Sequence, residues 1–399
     1  MIGKVAATLA VAVTAGAAAA QVQMAHDKDF WRDAIDSMAV VAGFEHTGYT
    51  TDQYKAYLQS AVSAGNPPDI YTWWTGNALA DIVSSGQAAP IDELWDAKIA
   101  AGEFAPGTRD LFSVDGKTYA IPMLIARWVM FYNKQIFAEH GVEVPTTWDE
   151  LEAAAARFKA AGVTPFNASV QDGWRGFIWF QEIMIRQNPD AYAGLHDGSV
   201  AYNSPEVQAV FDKWVEWYGK GYFTDPRSND EQKDFAGGSA AMYIQGEWAV
   251  GGLTEYGMEV GKDLGAFIVP NADPSLPNQV IVEGAPILIS PDAWADPEKR
   301  AVFEYWASID GTKTWADAVS LYTGNLKGSA PNAIIEGISA TMADGGHLAR
   351  NRWWEAVPSD LQGDLVAELS AFMLDPTSDK ARETMANMQA FNAAYWADQ

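Results

Sequence analysis

YAIPMLIARWVMFYNK, residues 119–134, is apolar along most of its length and holds two strand-like runs, Tyr119-Ala120-Ile121-Pro122 and Val129-Met130-Phe131-Tyr132. Branched and aromatic residues suit a buried, pleated surface. Arg127 stands between the runs, a lone charge among Leu124, Ile125, Trp128 and Val129. A guanidinium in such surroundings needs a partner. Either a ligand or a carboxylate such as Glu283 would serve.

Outward from this segment, strand alternates with helix. Pro145, Thr147 and Glu150 form a capping-box signature that predicts a helix over 147–161. Val163 to Phe166 reads as a strand. Ser204 followed by Pro205 opens a helix with Val207, Val210, Phe211, Trp214, Val215 and Tyr218 on its apolar face. The stretches 240–244 and 281–290 read as strands, and 297–307, 313–318, 360–374 and 378–395 as helices. Towards the N-terminus, Val22 to Ala25 reads as a strand and Phe30 to Phe44 as a helix. A second helix, Asp52 to Ala64, is stopped by Gly65-Asn66-Pro67-Pro68. Asp69-Ile70-Tyr71-Thr72-Trp73-Trp74 reads as a buried strand entering a loop, and Leu79 to Ser84 as the start of a further helix. The pattern is α/β with a helical C-terminal tail, which predicts parallel sheets with ligand sites at strand carboxyl ends.

The chain has 399 residues, enough for two domains, and 48% of them are hydrophobic, enough for sizeable cores. The formal charge of -26 disfavours nucleic acid and anionic membrane surfaces as partners. Cysteine is absent. No disulfide, thiolate metal site, cysteine nucleophile or lipidated cysteine is therefore expected. Lys4, the apolar run from Ala6 to Ala19 and the small residues before Gln21 read as a signal peptide over 1–20. The mature protein is then expected to be exported and soluble, without a lipid anchor.

Four stretches, in this order, resemble the family 1 extracellular solute-binding proteins, the maltose-binding-protein-like receptors of ABC sugar importers. They are Tyr54-Lys55 through Asp69-Ile70-Tyr71 into Trp73-Trp74, Tyr119 through Lys134, Val144 through Leu151, and Asp234 through Ile244 with Gly246-Glu247-Trp248-Ala249. Together they run from Tyr54 to Ala249. The match is poorest between Phe44 and Thr51, where the family has a longer connection and a second strand. The resemblance implies a two-lobed periplasmic-binding-protein fold of type II character, with crossing hinge strands near Ala126-Arg127, Val282-Glu283-Gly284 and Leu326-Lys327-Gly328. One lobe would take 21–126 plus 284–326, the other 127–283 plus 327–399. It also implies a periplasmic, monomeric, non-enzymatic receptor without cofactor or metal, serving the permease subunits of an ABC importer.

A pyranose has apolar C–H faces and a polar edge, so its receptor needs aromatic platforms and charged or amide groups. The chain has 17 tryptophans. Trp73 and Trp74 leave one strand and must point oppositely, so one packs while the other faces the cleft. The family's stacking position falls on Trp73. Trp174 lies in a glycine-flanked loop beside Arg175. Trp248 and Trp354 match family stacking residues, and Glu247 adjoins Trp248. Arg350, Asn325, Arg127, Glu283, His26 and Asp27 are further candidates at the crossings or at strand ends. Trp95, Trp214, Trp217, Trp306 and Trp315 lie at helical spacing and read as core.

No nucleotide-binding glycine motif, zinc-spaced histidine pair, serine elbow or calcium loop occurs. Two alternatives stay open. The same fold could bind a sugar acid or a polyamine. A secreted glycoside hydrolase could use Glu247 and Glu283 as its acids.

Overall fold

The computed structural model describes residues 21–328 and 332–397. The signal-peptide expectation falls on residues 1–20 and lies outside them. Among the described residues ten strands run β1 Val22–His26, β2 Phe44–Gly48, β3 Ile70–Thr72, β4 Ser113–Val114, β5 Lys117–Thr118, β6 Ala120–Asn133, β7 Met242–Gly246, β8 Leu264–Phe267, β9 Gln279–Ile289 and β10 Leu348–Asn351. The main sheet has the order β2-β1-β3-β9-β6-β7, with β10 on β9 and β8 on β6, while β4 and β5 form a small hairpin.

Within the stretch 119–134, Ala120–Asn133 forms one long strand, not two runs. Over its first half β6 pairs antiparallel with β9, from Ala120↔Leu288 to Arg127↔Val282. Over its second half it pairs with β7, from Trp128↔Gly246, and with β8, from Met130↔Phe267. Its partners change between Arg127 and Trp128. Pro122 cannot donate to a ladder, and the register slips between Pro122 and Leu124, so the strand passes through it unbroken.

The cores divide at the same place. One draws on Val22 to Ala126 and again on Ala285 to Leu321. The others draw on residues from Trp128 to Ile281 and from Ile334 to Met388. β6 and β9 run from one core to the other. The architecture is the expected two-lobed α/β class, and the helices Ser359–Leu374 and Ser378–Ala397 form the helical tail.

Three local expectations need correction. The sheet is mixed, because β3, β6, β7, β8 and β9 pair antiparallel with their neighbours while β1–β2, β1–β3 and β9–β10 are parallel. The helix expected to reach Phe44 ends at Ala42, since Gly43 adopts the left-handed conformation at φ 82° and closes it. Phe44 instead opens β2, which fills the stretch where the family pattern was weakest. Val163 to Phe166 forms no strand; only Phe166 bridges, to Phe223 and Met242.

Candidate functional site

β1 and β3 lie parallel and end side by side, which directs the residues after them to one edge of the sheet. Asp27 and Lys28 follow β1, and Trp73 and Trp74 follow β3. Trp73 is buried and its Nε1 donates to Ala78 O at 2.9 Å, whereas Trp74 is half-buried. Their rings meet at 4.7 Å and 64°. Trp74 is the more exposed of the two rings, although both line the small cavity described below, and the indole N–H of Trp73 is satisfied inside its own lobe. Lys28 Nζ lies 5.8 Å and Lys55 Nζ 5.1 Å from the Trp74 ring.

The other lobe answers with Trp354, half-buried in the short helix Trp353–Ala356. Lys55 Nζ is 5.8 Å from its ring, so one ammonium sits over an indole from each lobe. Phe177, first residue of the helix Phe177–Gln187, lies 5.7 Å from Trp354 and 6.1 Å from Trp174. Trp174 in turn lies 6.2 Å from Trp248. Arg175 covers the Trp174 ring at 4.4 Å and is itself held by Glu231 and Asp172. Trp354, Phe177, Trp174 and Trp248 thus form an aromatic arc, which Lys55 extends to Trp74. Beside its Trp74–Trp354 end lies a cavity of about 320 Å3, whose lining includes Lys55, Asp81, Glu355 and Asp360.

The polar floor comes from the hinge strands. Trp128 Nε1 donates to Glu283 Oε2 at 3.0 Å, and Arg352 Nη1 contacts the same oxygen at 2.5 Å. Arg352 Nε also donates to Glu355 Oε2 at 2.8 Å. Burial pushes the Glu283 carboxyl above its ordinary value, with Arg352 opposing the rise. Burial also disfavours charge on Arg352, yet Glu283 and Glu355 outweigh it and hold the guanidinium protonated.

Arg127 and Glu283 do not pair. Adjacent strand residues point to opposite faces, so Arg127 turns away from the Trp128 face that Glu283 joins. It engages Glu247 through Nε–Oε2 and Nη2–Oε1 contacts of 2.6 Å each, reaches Ser339 Oγ at 2.7 Å, and lies 4.8 Å over the Tyr322 ring. Glu247 is buried with it, and its carboxyl is pushed up by burial against the pull of Arg127. The two form a closed pair that braces the turn carrying Trp248, and Arg127 also lines the groove on the far face of the hinge strands.

Three other candidates are engaged elsewhere. His26 is buried: its Nδ1 accepts from Lys28 N–H at 3.2 Å and its Nε2 meets His46 Nδ1 at 2.9 Å, leaving no ring nitrogen for a ligand. Asn325 is buried in a turn, where its Oδ1 accepts from Lys327 N–H and Gly328 N–H. Arg350 donates from Nε to Gln279 Oε1 at 2.9 Å and lines a different groove. Asp27 stays at the sheet edge, accepting from Thr72 Oγ1 at 3.0 Å and Lys28 Nζ at 2.8 Å.

Sequence reasoning missed Lys28, Lys55, Phe177, Arg352 and Glu355. Lys28 adjoins Asp27, and Arg352 closes the Arg350-Asn351-Arg352 run, so both carried a signal. Phe177 and Lys55 lie in helical periods that read as ordinary amphipathic faces.

The profile of the bacterial extracellular solute-binding proteins matches residues 41–344. An osmoprotective compounds-binding protein of Synechocystis is 25% identical over 296 residues, covering 69% of this chain and 68% of that protein. A probable sugar-binding periplasmic protein of Brucella suis is 29% identical over 222 residues, covering 52% and 50%. The chain spans about half the length of the first curated relatives it matches. Among solved structures, a bacterial solute receptor described as preferring β-D-galactopyranose superposes with a TM-score of 0.80 at 20% identity, over 94% of this chain and 99% of that one.

Proposed function

Because the chain belongs to the bacterial extracellular solute-binding proteins, we propose that it captures a neutral carbohydrate between its two lobes and delivers it to an ABC importer. The observation that carries this reading is the aromatic arc joined to a charged floor. Trp74 and Trp354 come from different lobes yet share one ammonium, Lys55. A pyranose face would replace that ammonium between or upon the rings, and Asp27, Lys28, Glu283 and Arg352 would take hydroxyls. Trp174 and Trp248 extend the platform for a further ring.

In this reading the lobes are 21–126 plus 284–326 and 127–283 plus 327–399, hinged where β6 and β9 cross. Ligand favours the closed arrangement by touching both lobes, and opening releases it to the permease. The receptor works as an exported, periplasmic monomer. Among the described residues no helix is long and apolar enough to cross a membrane. The protein carries out no catalysis in this account. Glu247 is tied to Arg127 and Glu283 to Arg352 and Trp128, which speaks against both as hydrolytic acids.

One observation favours a second ligand class. With Glu355 paired to Arg352, Asp81 and Asp360 line the small cavity against a single Lys55, an excess that suits a polyamine rather than a sugar acid. Calorimetric titration with neutral mono- and oligosaccharides and with spermidine separates the readings. Saturable heat from a saccharide is expected, with a rise in melting temperature. Binding of spermidine alone would replace the sugar reading with the polyamine one.

A further inference from the structure

The hinge strands have a second face. Arg127 and Val282 alternate with Trp128 and Glu283, so they point away from the aromatic arc. There they line a groove of about 1000 Å3. Both lobes contribute: Leu111, Ile125 and Tyr322 from one core or its margin, Tyr192, Met342 and Arg350 from the other side. Much of this lining is apolar or aromatic.

Its charge is opposite in sign to that of the small cavity beside the arc. The charged side chains lining the groove are Arg127, Arg350 and Asp110, whereas those of the small cavity are Lys55 against Asp81, Glu355 and Asp360. Arg127 is neutralised by buried Glu247. Arg350 has no ion pair among the described residues; its Nε meets only the amide of Gln279. In a chain of formal charge -26, a lone guanidinium within an apolar groove is a local positive site. His196 and His347 also line it, and burial lowers both imidazoles, His196 to about 4, so neither places a second cation there at neutral pH.

We propose that this groove is a second binding site, for a small organic anion with an apolar body, whose carboxylate or sulfonate pairs with Arg350. A guanidinium offers two parallel N–H groups to such an oxyanion. The apolar body lies against Ile125, Met342 and the tyrosines. Since both lobes line the groove, its occupant also reads their relative position.

The test uses the intact mature protein and the fluorescent probe 8-anilinonaphthalene-1-sulfonate. Saturable enhancement that weakens as sodium chloride is raised is expected. Arg350→Gln should weaken binding ~10-fold or more, and Arg350→Lys should restore part of it. Trp354→Ala should leave the probe affinity within about twofold. Circular dichroism confirms that each variant is folded; Arg350 is half-buried with one side-chain contact, so its replacement is tolerable. The proposal is overturned if the wild type shows no saturable binding. It is equally overturned if Arg350→Gln binds as well as wild type, or if binding follows Trp354. None of these outcomes depends on whether the arc binds a sugar.

Discussion

Arg127 is committed to Glu247 through the Nε and Nη2 of its guanidinium, and that commitment sets the energetics around Trp248. Removing one member of a buried pair strands the other charge. Glu247→Ala should therefore cost about 3–5 kcal/mol of stability, while the paired Arg127→Met with Glu247→Leu should recover much of it. Urea unfolding of the single and double variants measures this. Equal losses in both would mean that the pair does not act as a unit. The platform tryptophans should behave differently. Trp74→Ala and Trp354→Ala are expected to weaken saccharide binding ~10-fold or more with little loss of stability, since each ring is only half-buried. The buried histidines make a pH prediction. Burial, then His46, lowers His26 to about 4 from 6.5. Below 6.5 the unfolded chain takes up a proton that the native ring refuses, so this stability is present above 6.5 and is lost as pH falls toward 4. Glu247 and Glu283 are raised and slope the other way above their ordinary range. The difference between wild type and His26→Gln isolates the histidine: melting temperatures should converge as the pH is lowered. At this scale the sequence exposed the tryptophans and the lone Arg127. Its partner was hidden, because Glu247 and Glu283 are both distant in sequence and only strand alternation tells them apart.

Elements with local signals were legible. Thr147 and Glu150 form the capping box that their spacing predicts, with Glu150 N–H donating to Thr147 Oγ1 at 3.2 Å and Thr147 N–H to Glu150 Oε2 at 3.2 Å. Thr147→Ala should cost ~1 kcal/mol, measurable by thermal or urea unfolding. Elements that depend on distant partners were not. β10, Leu348–Asn351, is short and partly exposed, and exists because β9 offers it a parallel edge. The helix Ala333–Gly345 is interrupted in pattern by Gly337, and its helical start rests on Asn332, whose Oδ1 accepts from Ile334 N–H and Ile335 N–H. β6 reads from the sequence as two runs, one ending at Pro122 and one resuming at Val129. A slip in its register makes that proline harmless.

At the scale of the whole molecule, two strands carry the chain between cores, and function follows from what their faces present. One face meets aromatic rings from both lobes around Lys55. The other opens on a groove with Arg350. Lobe architecture was legible because motif order is a property of the whole chain, whereas the floor of Lys28, Arg352 and Glu355 forms only when residues from opposite ends of the sequence meet. Binding at the arc should draw the lobes together. Small-angle scattering should then show a smaller radius of gyration with saccharide than without, against a compact single-chain expectation of about 21 Å. The central claim, that a neutral saccharide is held by rings from both lobes, is tested most directly by native mass spectrometry. The mature protein, its Trp74→Ala Trp354→Ala variant and an equimolar pool of saccharides plus spermidine would be used. A saccharide-mass adduct is expected on the wild type and its loss from the double variant. A spermidine adduct alone, or a saccharide adduct undiminished in the variant, would contradict it.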